Sequence, residues 1–203
     1  MQKTAVRKTG DTTTSKNQPQ KHQPHKHQPA AAERPGSWHL ARTETERLLS
    51  DFEFGLERLA QAYYRWKAAC LAAVCDVPLT GDDVAVLNVV RMGDEPKRLS
   101  EIGQLLNRVD VPNLQYATRK LVRAGLIETE GHSSRKETRY RATATGRSVT
   151  EAYAALRAAT LPPMLDALDG WPAKSETTRV QLDLLSSLYA QAAQVAITKR
   201  HQP

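Results

Sequence analysis

Several absences narrow the function of this chain first. It contains no HExxH, no GxSxG and no glycine-rich phosphate loop. These are the arrangements with which metalloproteases, serine hydrolases and nucleotide-binding enzymes hold a metal, expose a nucleophile or cradle a phosphate. Neither an enzymatic activity nor a cofactor is expected. Cysteine is scarce: Cys70 and Cys75 stand five apart in a helical pattern, which matches neither a metal-ligand pair nor a redox CxxC, so both read as buried, reduced thiols. No N-terminal stretch resembles a signal peptide, and the longest small-apolar run, Ala68–Cys75, is far short of the roughly 20 residues of a spanning helix. A cytoplasmic protein without membrane association follows as the expectation.

What is present suits one domain with a loose appendage: 203 residues, 40% of them hydrophobic, with a formal net charge of +7. Residues 1–36 have no apolar period and are rich in Lys, Gln, Pro, His and Thr. Such a segment cannot offset the entropy of ordering, and it reads as a disordered basic tail. Its Lys3, Arg7, Lys8, Lys16, Lys21, Lys26 and Arg34 face only Asp11 and Glu33, so most of the net charge lies there. A basic balance of this kind favours a polyanionic partner. His22, His25 and His27 repeat within the tail without Cys or carboxylate company, and no specific metal site is expected.

Two long amphipathic helices bracket the rest. The first, about Thr43 to Ala73, carries a seam of Leu49, Phe52, Leu56, Leu59, Tyr63, Trp66 and Cys70 at steps of three and four, a repeat that asks for another helix to pack against. The second, roughly Glu176 to Thr198, carries Leu182, Leu185, Leu188, Ala192 and Val195. Together they hold more apolar surface than the middle of a small domain can cover, which predicts a helical homodimer interface.

The middle is organised around Asp110–Gly125. Asp110 is an N-cap type of residue, Pro112 falls in the first turn and Gly125 marks a stop. Leu114, Ala117, Thr118 and Leu121 form the stripe to be buried, and the other face presents Asn113, Gln115, Tyr116, Arg119, Lys120 and Arg123, with three cations and no carboxylate. Before it, Gly81-Asp82-Asp83 opens a short helix with Val84, Leu87 and Val90 inward that stops near Gly93. Ser100 is read as the cap of a second, Glu101 to Asn107, with Ile102, Leu105 and Leu106 inward. After it, Leu126–Glu130 and Glu137–Thr143 read as a β-hairpin whose tip and return strand carry Arg135, Lys136, Arg139 and Arg141, opposed there only by Glu137. Gly146 is read as the end of the hairpin. A helix follows through Val149, Tyr153 and Leu156, and Pro162, Pro163 and Pro172 are read as breaks, with a short helical segment around Met164 to Leu168.

Helix, turn, basic helix and basic hairpin, in that order, predict a mainly α fold with a small β-hairpin wing, a winged helix-turn-helix. A major groove about 12 Å wide admits one helix, while the hairpin reaches the backbone or minor groove. Arg119, Lys120, Arg135 and Lys136 suit phosphates, and Asn113, Gln115 and Tyr116 are placed for base edges. Arg123 and Arg139 complete the predicted DNA-binding set. Winged helices also serve as protein-protein modules; the alternative reading is such a module, with non-specific nucleic-acid contact through the basic tail.

The segments Leu79-Thr80, Val84 to Val90, Leu99–Leu106, Leu121-Val-Arg-Ala-Gly-Leu-Ile127 and Ala142-Thr-Ala-Thr-Gly-Arg147 resemble the MarR family of bacterial transcription regulators. The resemblance covers about residues 45 to 197 and is most specific over 80–147. It implies a MarR-like domain over 37–203, with the winged helix-turn-helix at 80–147 and dimerisation helices at 43–75 and 147–198. It further implies a homodimer on a pseudo-palindromic operator, usually a repressor, of a catabolic or stress operon, relieved by a small aromatic carboxylate or phenolic ligand. Trp38, His39, Tyr63 and Trp66 are the ligand walls the resemblance suggests. The chain departs from the family in the wing, where Ser134 and Lys136 replace an aspartate and the arginine it orients, and in the reading helix, where Pro112 and Tyr116 stand for hydroxyl and basic residues.

Overall fold

The computed structural model describes residues 39–131 and 138–200. The tail, with its basic residues and histidines, lies outside them, as do Trp38, Ser134, Arg135 and Lys136. Two compact units are distinguished, Met1–Arg47 and Leu48–Pro203. In the first, a turn at His39 and Leu40 leads to a reciprocal cap. Glu46 accepts from the backbone amides of Arg42 (2.6 Å) and Thr43 (3.0 Å), and the Thr43 hydroxyl accepts from the Glu46 amide (3.2 Å). This capping box satisfies donors that a helix start leaves over.

The elements run α1 (Glu44–Ala72), α2 (Gly81–Arg91), β1 (Lys97–Arg98), α3 (Leu99–Leu105), α4 (Val111–Arg123), β2 (Ile127–Glu130), β3 (Arg139–Ala142), α5 (Ala144–Leu165) and α6 (Trp171–Lys199). α2 begins where expected because Thr80 and Asp83 cap each other: the Thr80 hydroxyl accepts from the Asp83 amide (3.2 Å) and Asp83 accepts from the Thr80 amide (2.9 Å). Val84, Val86, Leu87 and Val90 of α2 are fully buried, and Ile102, Leu114, Leu121, Leu126 and Ile127 close over them. At roughly 1.5–3 kcal/mol for each large side chain taken from water, this cluster supplies the main drive for the fold.

The hairpin pairs β2 with β3 antiparallel, Ile127 opposite Ala142 and Glu130 opposite Arg139. A third strand that the sequence reading missed, β1, adds to the far side of β3, giving the order β1-β3-β2. Its two residues, Lys97 and Arg98, fall in the stretch between the two short helices where no strand is expected from the sequence. Lys97 holds it in place by donating to the carbonyls of Met92 and Glu95.

Four further expectations are corrected. α3 starts at Leu99 rather than after Ser100, because the Glu101 carboxylate reaches back to the Arg98 amide (2.6 Å); Leu105 is 52% exposed, not inward. Gly146 lies inside α5, whose N-cap is Thr143, and not at the end of the hairpin. Pro162 and Pro163 do not break α5, which runs on to Leu165. They sit near its C-terminal end, where few later amide bonds remain to be lost. The α1 seam, read as buried, is covered only towards its end: Cys70 and Leu71 are buried and Trp66 partly so, whereas Leu49, Phe52, Leu56, Leu59 and Tyr63 are 37–60% exposed. Nearly all of α6 is exposed as well. Among the described residues no helix is long and apolar enough to cross a membrane, and no cluster of His, Cys, Asp or Glu could hold a metal ion.

Candidate nucleic-acid interface

The turn between α3 and α4 is tight because Asn107 adopts a left-handed conformation (φ 51°), one that Asn tolerates better than most residues. α4 then presents its stripe as the sequence predicts, with Leu114, Ala117, Thr118 and Leu121 buried. Thr118 spends its hydroxyl on the helix itself, donating to the carbonyls of Leu114 (3.0 Å) and Gln115 (3.1 Å). Gly125 ends the helix with φ 68°, the left-handed stop that glycine adopts at least cost.

The outward face carries Asn113, Tyr116, Arg119 and Arg123, all exposed. Among the described residues no carboxylate pairs with either arginine, which leaves both guanidinium groups available to an anion. Gln115 is half-buried. Asn113 is held in a fixed orientation, its Nδ2 donating to Asp110 Oδ2 (3.0 Å). Asp110 occupies the N-cap position without a side-chain cap bond, because its carboxylate is taken by Arg108 in a bidentate pair (Nε to Oδ1 2.8 Å, Nη2 to Oδ2 2.5 Å). That pairing holds the Asp110 carboxyl well below the usual carboxylate range and raises the Arg108 guanidinium.

Two of the expected cations are placed differently. Lys120 is only 28% exposed and donates to Asp83 Oδ2 at 2.7 Å, back towards α2 rather than outwards. Arg139 is half-buried and donates from Nη1 to the Pro96 carbonyl (3.1 Å), tying β3 to the approach of β1. Arg141 is opposed by more than the sequence reading allowed, because it pairs with Glu128 (2.7 Å) and Glu130 (2.5 Å) across the hairpin. The hydrogen bond that Arg141 donates to Glu128 raises its pKa.

Residues that the sequence reading did not single out lie beside α4. A groove of about 560 Å³ is lined by Arg98, Ser100, Gln104 and Arg108 with Val111 and Leu114. Arg98, Ser100 and Gln104 are exposed along its edge. Arg98 is the observed N-cap of α3, two residues before the Ser100 cap expected from the sequence.

A second cavity, about 430 Å³, lies between α1, α2 and α5 and is lined by Tyr63, Trp66, Asn88, Arg91, Tyr153 and Arg157, among others. Tyr63 and Trp66 are brought together as a stacked pair with ring centroids 6.3 Å apart, and Tyr153 lies 6.5 Å from Trp66. Burial pushes the Tyr153 phenol up. Arg91 is engaged by Asp94 and, at 3.5 Å, by Glu151. His39 stands in its exposed turn in the other unit.

The fold and this face define a winged helix-turn-helix. Residues 79–146 match the family described as a winged helix DNA-binding domain. Among solved structures, the chain is similar to reduced AbfR bound to DNA, AbfR being a protein of Staphylococcus epidermidis. The identity is 20% and the TM-score 0.59, covering 75% of this chain and 99% of that one. Sco5413, a MarR family transcriptional regulator from Streptomyces coelicolor, is similar at 19% identity and TM-score 0.55, covering 69% of this chain and 95% of that one. Staphylococcus aureus MarR in complex with salicylate and kanamycin is similar at 15% identity and TM-score 0.56, with 72% and 95% covered. No curated protein matches the sequence significantly. The chain shares the winged-helix fold of these structures, the fold that the motifs at Leu99–Leu106 and Leu121–Ile127 imply.

Proposed function

We propose that this protein is a sequence-specific DNA-binding transcription regulator that acts as a homodimer through α1 and α6. The observation that carries the reading is the outer face of α4, where Arg119 and Arg123 stand exposed with no carboxylate partner among the described residues, on the same face as Asn113 and Tyr116. A face of one charge sign with a polar leading end fits a helix laid in the major groove, with cations on phosphates and amides on base edges. Arg135 and Lys136, which the sequence places between the two strands of the wing, are assigned phosphate contacts on the strength of their charge. Two copies related by a two-fold axis would read a pseudo-palindromic duplex.

The cavity walled by Tyr63, Trp66 and Tyr153 suits the ring of a small aromatic or phenolic acid, and Arg157 suits its carboxylate. Filling a space between α1, α2 and α5 would bias how those helices pack. The regulator is accordingly a cytosolic repressor of a catabolic or stress operon, released by such a ligand.

The test is selection of bound duplexes from a random pool, followed by titration of the recovered site against salt. A recovered two-fold sequence with steep salt dependence is expected. Arg119→Ala, which removes one phosphate contact from each copy of the dimer, should lower the slope of log affinity against log salt by about 1.8. Removal of residues 1–36 should leave the sequence preference intact. Equal affinity for random and selected DNA, or loss of all binding with the tail, would instead favour the protein-interaction module.

A further inference from the structure

The consecutive acids Asp82 and Asp83, in the first turn of α2, face both ends of α4. Asp83 is buried, and its Oδ2 accepts from the Thr80 amide (2.9 Å), the Thr80 hydroxyl (3.0 Å) and Lys120 Nζ (2.7 Å), the last from the C-terminal half of α4. Asp82 Oδ1 accepts from Arg108 Nη1 (3.3 Å), and Arg108 grips Asp110 at the α4 N-terminus through two further bonds. Each end of α4 is thus tied to the same helical turn. That turn in turn lies against α1: a Cβ on Gly81 would fall 2.5 Å from the Tyr64 carbonyl oxygen. Tyr64 is itself held by the buried ammonium of Lys67, 4.1 Å from its ring centroid and 4.6 Å from that of Tyr63.

We infer that Lys120 is a positioning residue rather than a DNA contact: through Asp83, with Arg108 and Asp82 at the other end, it locks α4 to α1 and thereby sets the half-site spacing that a dimer accepts. The inference rests on the proposed dimeric regulator. α1 carries the exposed seam offered to the second copy, so a rigid α1–α2–α4 path fixes the separation of the two reading helices. A flexible path would let each α4 find its half-site over a range of spacings. The burial of Asp83 makes the tie stiff, because a charge removed from water holds closely to the cation that compensates it.

The experiment uses the full-length protein and the duplex recovered by selection, together with versions in which one base pair is added or removed between half-sites. Lys120→Met should weaken binding to the selected duplex on the order of tenfold while weakening binding to the altered spacings much less. Its salt slope should match the wild type, and Lys120→Arg should restore the spacing preference. Asp82→Asn, which leaves the Thr80–Asp83 cap intact, should relax the spacing preference as Lys120→Met does and decides the matter if Lys120→Met does not fold. A Lys120→Met protein with a slope lower by about 1.8, one contact from each copy, and an unchanged spacing preference would make Lys120 a phosphate contact and overturn the inference. So would variants indistinguishable from the wild type. A wild-type protein that selects no duplex would overturn the regulator reading itself, a result separable from either.

Discussion

At the scale of single residues, Gly146 shows how close approach dictates identity. The first turn of α5 runs directly over the β2 approach, and a Cβ at this position would overlap the Leu126 carbonyl oxygen. Gly146→Ala should therefore destabilise the fold by about 1–3 kcal/mol, the usual cost of overpacking, as measured by urea denaturation. Lys120 and Arg119 make the complementary point about what a sequence can reveal. Helical spacing places both on the outer side of α4, and there they look equivalent. Their difference arises from Asp83, 37 residues away, which only the packing of α2 on α4 brings within reach of one of them. Asp110 was legible as the helix start, but not as the partner of Arg108, because a carboxylate free to cap looks the same in sequence as one already engaged.

At the scale of elements, α2 and α4 were legible because their starts carry strong local signals and their apolar stripes are regular. β1 was not, since two residues have no period, and it exists only because β3 offers an open edge. The continuation of α5 through Pro162 and Pro163 was hidden for a related reason: a proline pair signals a break, and only its place in the last turns makes it tolerable. The α3–α4 junction also makes a pH prediction. The Arg108 bond depresses Asp110 below its ordinary value of 3.8, so the folded state binds this proton more weakly than the unfolded state does. The resulting stabilisation is present above the ordinary carboxylate range and is lost as pH falls through it towards the folded value. Asp110→Asn should flatten this dependence: thermal melts at about pH 5 and pH 2.5 should differ less for the variant than for the wild type.

At the scale of the whole molecule, the outer helices carry the largest difference between a chain alone and a chain with a partner. The sequence showed two apolar stripes, and the structure shows that a single copy leaves Leu56 and Leu59 of α1 and Leu182, Leu188 and Val195 of α6 substantially in water. Exposed large apolar side chains in such number along two helices suit an interaction face. On the proposed dimeric regulator, Leu188→Glu should give a monomer in sedimentation velocity, leave the helical content of residues 48–165 intact, and lower affinity for the selected duplex more than tenfold, because a single half-site loses the second copy's contribution. α6 has a consequence for the cell as well. In the proposed dimer α6 finds its cover only when two chains meet, and the number of competent readers would then rise faster than the number of chains made. A small change in synthesis would then move a promoter from open to shut.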